Sequence, residues 1–266
     1  MERSSSCSKY PARQRKFQKS FSHLNKLADR TVRLAVFTLD PESIVARAKA
    51  RKQPSRAPTL GESVVRGMIG FTMVSLAGFA PWVLAGRWFY RNIGELGLYA
   101  VCALAFVGLS GPLLHRLIIG PGSLSRCYKI FSLSFLAYAV VWTVAWMTLA
   151  RTTGGVTAGI IGGLGGIVLM GVLLSLGFKA PEAMLKIILA LFVGNLLGYF
   201  IGEWTYNGVN ALKEGNATGF VLERQTRSTL SKLTWGLCYG LGFGAGIGFA
   251  FHACQAKARK LLAAHS

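Results

Sequence analysis

Acidic residues are scarce in this chain. Asp and Glu number 10 among 266 residues, against 30 Lys and Arg, and all charged side chains together make up 15%. A soluble enzyme needs a broadly charged surface, so this shortage makes one improbable. The five cysteines, Cys7, Cys102, Cys127, Cys238 and Cys254, lie far apart with no C-x-x-C pair, which excludes a disulfide scaffold. Of the four histidines, His23 and His265 sit in the tails, while His115 and His252 each lack another His or carboxylate at ligand spacing. No metal site and no cofactor are therefore expected. Nucleophile elbow, P-loop, HExxH and paired-carboxylate motifs are all missing, so no catalytic residue is assigned and the chain is not expected to be an enzyme.

What the chain has in excess is apolar sequence, 52% of all residues. A helix crossing a hydrocarbon core about 30 Å thick needs roughly 20 mostly apolar residues. Six uncharged runs approach that length: Gly67–Ala85, Leu96–Leu114, Ile130–Ala150, Thr152–Phe178, Ile187–Gly202 and Leu233–Ala256. The fifth has 16 residues, but Lys186 and Glu203 flank it and can extend their charged heads to the interface. Barrel strands would be shorter and would alternate in polarity. The expectation is an all-α, polytopic transmembrane bundle of about six spans with a basic amphipathic N-terminal region. The leader is placed at 1–62, the membrane domain at 63–256 and a basic tail at 257–266. The spans are placed at about 65–86, 95–115, 129–150, 154–177, 183–203 and 233–254.

Lys and Arg are retained in cytoplasmic flanks and short loops. Residues 1–60 hold 14 bases and 4 acids, which puts both termini inside. In that orientation all six tryptophans fall toward the outer ends of their spans, where an aromatic belt sits at the headgroups. A bacterial cytoplasmic membrane is expected, with a mitochondrial or other organelle membrane as the alternative, because a Ser- and Arg-rich leader also describes a transit peptide. Phe21 to Ala35 has an amphipathic helical pattern, and Asp40-Pro41-Glu42 marks the start of a further helix. Lys26, Arg30, Arg33, Arg47, Lys49, Arg51 and Lys52 form a basic surface for anionic headgroups of the bilayer, and nucleic acid is not an expected partner.

Glycine spacing is the most specific signal. Gly155, Gly159 and Gly163 recur four apart in span four, Gly194, Gly198 and Gly202 in span five, and Gly236, Gly240, Gly244 and Gly248 in span six. Parallel series are Ala158, Gly162 and Gly166 in span four and Gly242 and Gly246 in span six. Positions four apart lie nearly above one another on a helix, so each series forms a face without side chains. Close contact between such faces is a main source of helix association in lipid. Spans four to six are expected to form a tightly packed core, within one chain or between copies. Asn195 is the polar residue deepest in a span, expected to make an interhelical hydrogen bond or to contact a solute. Glu95 and Glu203 are expected to pair with Arg87, Arg91 or Arg151 at the headgroups. Gly111-Pro112 is expected to kink span two.

Two functions fit these features. One is a noncatalytic structural or assembly component that packs through its glycine faces as a homo-oligomer or in a larger membrane complex. The alternative is a small channel or transporter with Asn195 on the route. Sparse buried charge favours the first.

Overall fold

The computed structural model describes residues 39–50, 57–120, 122–213 and 219–264. The expected leader helix and Lys26, Arg30, Arg33, Arg51 and Lys52 lie outside the described residues, as do the side chains of Arg47 and Lys49. The described chain is all-helical: α1 Pro41–Ala50, α2 Leu60–Gly78, α3 Ala80–Leu114, α4 Ser123–Thr153, α5 Gly155–Gly177, α6 Met184–Asn210, α7 Arg224–Cys254 and α8 Ala256–Ala263. Single 3-10 turns at His115–Leu117 and Pro181–Ala183 precede α4 and α6.

Local chemistry sets the helix starts. Asp40 caps α1 by accepting the Ser43 N–H at Oδ2, 3.0 Å away. Thr59 and Glu62 form a reciprocal capping box at the head of α2, with the Glu62 N–H 3.2 Å from Thr59 Oγ1 and the Thr59 N–H 2.9 Å from Glu62 Oε2. The helix that carries the first span thus begins at Leu60 and ends at Gly78.

Among the described residues five stretches are long and apolar enough to cross a membrane, the pattern of a multi-pass membrane protein. The first, Leu60–Leu117, covers 58 residues. As one straight helix it would reach about 87 Å, far more than a bilayer needs. Instead it doubles back. The backbone leaves helical geometry at Ala85 (φ −133°, ψ 19°) and at Gly94 (φ 71°, ψ −179°), a left-handed φ that only glycine adopts freely. The returning half of α3 then runs antiparallel to α2, with Gly70 against Leu113 and Leu114 and Gly78 against Phe106. Counted this way, the described residues hold about six passes. Ser63 at the start of the first pass lies against Gly248 near the end of the last, and its Oγ is 3.4 Å from His252 Nδ1. Both ends of the bundle's chain therefore emerge at one end, called here the near end.

Pro112 stays inside α3 and the sharp breaks lie elsewhere, at Ala85 and Gly94. The proline has no N–H for the Gly108 carbonyl four residues back. Tyr128 supplies the missing donor, its hydroxyl 2.6 Å from that oxygen. Its ring lies where a side chain at Gly111 would stand. One aromatic residue thus satisfies the freed carbonyl and occupies the space beside Gly111.

Helix α7 is held between α2 and α6. Residues two apart on a helix differ by about 200° in direction, so Gly240, Gly244 and Gly248 face one neighbour while Gly242 and Gly246 face the other. A Cβ on Gly244 would stand 2.5 Å from the Gly67 carbonyl oxygen of α2, and one on Gly240 would stand 2.6 Å from Thr72 Cα. On the opposite side, a Cβ on Gly242 would stand 2.5 Å from the Gly194 oxygen and 2.6 Å from Gly198 Cα, both in α6. Ser75 Oγ adds an interhelical hydrogen bond by donating to the Gly236 carbonyl at 2.8 Å.

Span four, α5, packs differently from the expected three-span core. Its closely packed glycines are Gly162, Gly166 and Gly177, set against Trp142, Tyr138 and Ile130 of α4, and Gly171, set against Ile188 of α6. Gly159 and Gly163 face Tyr199 and Asn195 of α6 at ordinary contact distance, and Gly155 meets the Trp146 ring. The physical reason is the neighbour's bulk, because α6 presents Tyr199 and Asn195 to this face of α5 and its glycines to α7. Lipid-facing positions such as Leu104, Leu133, Val140, Leu185 and Leu197 are exposed and apolar.

Polar groups at the near end are consumed locally. Gln255, 1% exposed, accepts the Ile119 N–H and donates to the Leu117 and Phe251 carbonyls, each at 2.8 Å. Arg126 is 3% exposed and donates to the Gly120 carbonyl at 3.1 Å and the Gly122 carbonyl at 3.2 Å. Outside the spans, Lys257 pairs with Glu182 at 3.0 Å. Glu182's carboxyl is held below its ordinary range by its own backbone N–H first and by that ammonium second.

The glycine contacts predict a sharp contrast between sites. Gly242→Leu and Gly244→Leu each force a side chain into backbone and should destabilise by about 1–3 kcal/mol or more. Gly108→Ala has nothing within 4 Å of the new Cβ and should be neutral or stabilising, by about 0.5–1 kcal/mol. Thermal unfolding in detergent, followed by circular dichroism, measures all three.

Candidate functional site

At the far end the helices part around a cavity of about 430 Å³, bounded by α3, α4, α5, α6 and α7. Its depth follows from the helix rise. Asn195 lies at the floor and Glu203 at the mouth, eight residues apart on α6, or about 12 Å along the axis.

The floor is a hydrogen-bonded chain. Tyr138 donates its hydroxyl proton to Asn195 Oδ1 at 3.3 Å, so the Tyr239 hydroxyl, 3.1 Å away, donates to Tyr138. Asn195 is 7% exposed, and its amide nitrogen has no hydrogen-bond partner among the described residues. The expected interhelical bond is present in the fold, yet it uses only half of the amide. Beneath the floor, Phe71, Phe131 and Phe243 are fully buried, and the Phe71 and Phe243 rings meet edge-on at 5.3 Å. This aromatic plug separates the cavity from the near end.

The walls are aromatic. Trp82, Trp142, Trp146 and Trp235 line the cavity, whereas Trp88 and Trp204 are exposed. The belt expected from sequence is thus divided: two tryptophans face outward and four face inward. Trp142 and Trp146 are four apart and stack at 5.4 Å, and Trp235 stacks on Tyr239 at 5.2 Å. Shared helix face was the available signal, because Trp142 and Trp146 follow Tyr138 at spacings of four along α4.

The mouth carries two carboxylates. Glu95 accepts the Tyr99 hydroxyl at 2.6 Å, and Glu203 accepts an Asn207 amide proton at 3.2 Å. Neither forms an ion pair with Arg87, Arg91 or Arg151, contrary to the sequence expectation; those three arginines are exposed. Gly94 explains part of the difference, since the break there separates Arg91 from the returning helix that opens with Glu95. Just outside the lining, Lys232 donates to the Trp82 carbonyl at 3.2 Å and holds its ammonium 4.9 Å from the centre of that ring. Cys102 lines the wall as a buried thiol.

Such a site can desolvate an organic molecule against ring faces, meet a charge at its mouth and offer hydrogen bonds at its floor. Among the described residues no group of three His, Cys, Asp or Glu converges to hold a metal ion. Comparison with protein-family profiles, with curated proteins and with solved structures finds no match to this chain.

The floor network predicts measurable coupling. In a double-mutant cycle of Tyr138→Phe and Asn195→Leu, the double variant should be less destabilised than the two single changes summed. The interaction energy should be about 0.6 kcal/mol and at most about 1.7, the range for interhelical hydrogen bonds in lipid. Unfolding titrations in mixed micelles provide the four stabilities.

Proposed function

We propose that this chain is a noncatalytic, carrier-type solute-binding protein of a membrane, taking a small and largely apolar molecule into the far-end cavity. The observation that carries the reading is the cavity itself, a chamber open on one side and backed at mid-bundle by the Phe71, Phe131 and Phe243 plug. Access from one side to a site near the midplane is the geometry that carriers alternate between. The assembly reading draws less support, because the glycine faces that would serve it are taken up within the chain: Gly244 against Gly67, and Gly242 against Gly194 and Gly198. An open channel is also less favoured, since a continuous pore has no place for three fully buried phenylalanines across it.

The near end is assigned to the cytoplasmic side of a bacterial membrane, or to the matching side of an organelle membrane. Support comes from the 14 Lys and Arg among residues 1–60, which favour retention there and attract anionic headgroups by about 1 kcal/mol each.

Binding is tested on the full chain in nanodiscs with three phenyl probes: tert-butylbenzene, phenyltrimethylammonium and benzenesulfonate. At least one should change tryptophan fluorescence saturably. Ala139→Trp, which fills the cavity, should abolish the change, while Val140→Trp on the lipid face should leave it. No saturable response to any probe in the parent chain would overturn the reading. Orientation is tested in cells with an impermeant maleimide. Lys213→Cys should label from outside and Lys179→Cys only after lysis; the reverse pattern overturns the assignment.

A further inference from the structure

We infer that the cavity's occupant is an organic cation, held by aromatic faces with Glu95 and Glu203 at its entrance. This deepens the solute-binding reading above and rests on it.

The first argument is the sign of the lining. The chain carries 30 Lys and Arg and only 10 Asp and Glu, so a random sampling of its charged side chains would be mostly basic. Among the described residues, no Lys, Arg or His lines the cavity, and the charged side chains that do are Glu95 and Glu203. An anion entering there would pass two half-exposed carboxylates, with no counter-charge among the lining side chains.

The second argument is the wall material. An aromatic ring carries negative charge density on its faces, and cations bind over those faces with about 0.5–2 kcal/mol, more when water is excluded. Trp82 already demonstrates the interaction, since the Lys232 ammonium stands 4.9 Å from the centre of its ring. The cavity adds three further indoles, Trp142, Trp146 and Trp235, and phenol rings that include Tyr99 and Tyr199. These surfaces can desolvate a quaternary or alkylated ammonium group, which is weakly hydrated, more readily than a metal ion.

The test uses the same full chain in nanodiscs. Phenyltrimethylammonium should bind at least tenfold more tightly than benzenesulfonate, and its affinity should fall at least tenfold in Glu95→Gln/Glu203→Gln. Binding of tert-butylbenzene, the uncharged carbon isostere, should change less than twofold in that variant. If the variant does not fold, the cation-to-anion ratio in the parent chain decides alone. Benzenesulfonate binding as tightly as the cation, or equal losses for both isosteres, overturns the cation assignment and leaves the solute-binding reading standing. A lipid acyl chain as occupant would give that second outcome. Failure of all three probes removes both readings together.

Discussion

Backbone meets backbone on two sides of α7, and the rest of the bundle is arranged around that contact. The approach is possible only because Gly244 and Gly248 on one side, and Gly242 and Gly246 on the other, place no side chain between the helices. Lipid provides no hydrophobic drive for helices to associate, so the gain comes from dispersion over many atoms at close range. The two-residue offset between the series, about 200° of helix, determines that α7 takes two neighbours on opposite flanks rather than one. Close backbone contact recurs where Gly162 and Gly166 of α5 meet α4 and where Gly70 of α2 meets α3, and elsewhere the helices stand at side-chain distance. In the near half that space is filled by phenylalanines; in the far half the tryptophans and tyrosines line it without closing it.

Polar groups follow a second rule, that none is buried without a local solution. Pro112 frees a carbonyl and Tyr128 answers it. Gln255 and Arg126 absorb the loop carbonyls where α3 hands over to α4. In hydrocarbon these groups have no water to fall back on. One departure stands out against that background. Thr72 Oγ1 is the one buried side-chain oxygen without a partner among the described residues, and it lies where α2 presses on Gly240. Crowding at that contact explains it.

Helical class and multi-pass character were legible from the uncharged runs, because hydrocarbon imposes length and polarity on every segment that crosses it. The turn inside Leu60–Leu117 was legible as a gap between two runs, although its means, a left-handed Gly94, could not be read from composition. The Thr59 and Glu62 capping box that starts α2 is written in the sequence as T-x-x-E. Partners of the glycine faces were harder. The spacing of Gly242 and Gly246 relative to Gly240 and Gly244 already implied opposite flanks, yet nothing local says that Gly67 of the first span is the complement. The cavity was hidden for a different reason: tryptophan at a span's outer end satisfies the interfacial pattern whether its ring turns toward lipid or inward, and only a neighbouring helix decides.

The two kinds of helix contact also limit how this bundle can move. Along α7 the neighbouring backbones interlock at glycines, so a slide of one residue would drive side chains such as Leu241 or Phe243 into backbone and carry a steric penalty at every turn. Around the cavity, contacts run through ring pairs, such as Phe106 stacked on Phe135 at 5.2 Å and Tyr138 beside Phe243 at 5.4 Å. Rings can change rotamer on fast timescales without shifting a backbone. For the carrier proposed above, a change of access from the far end to the near end would have one low-cost route, in which α2, α6 and α7 stay together while the plug rings swing and α4 moves with α5. The hydrogen-bonded floor lies on that seam, since Tyr138 belongs to α4 and Asn195 and Tyr239 belong to α6 and α7. In that proposal, opening toward the near end would have to break the Tyr138 bonds, which would make the polar network the place where solute and conformation are coupled.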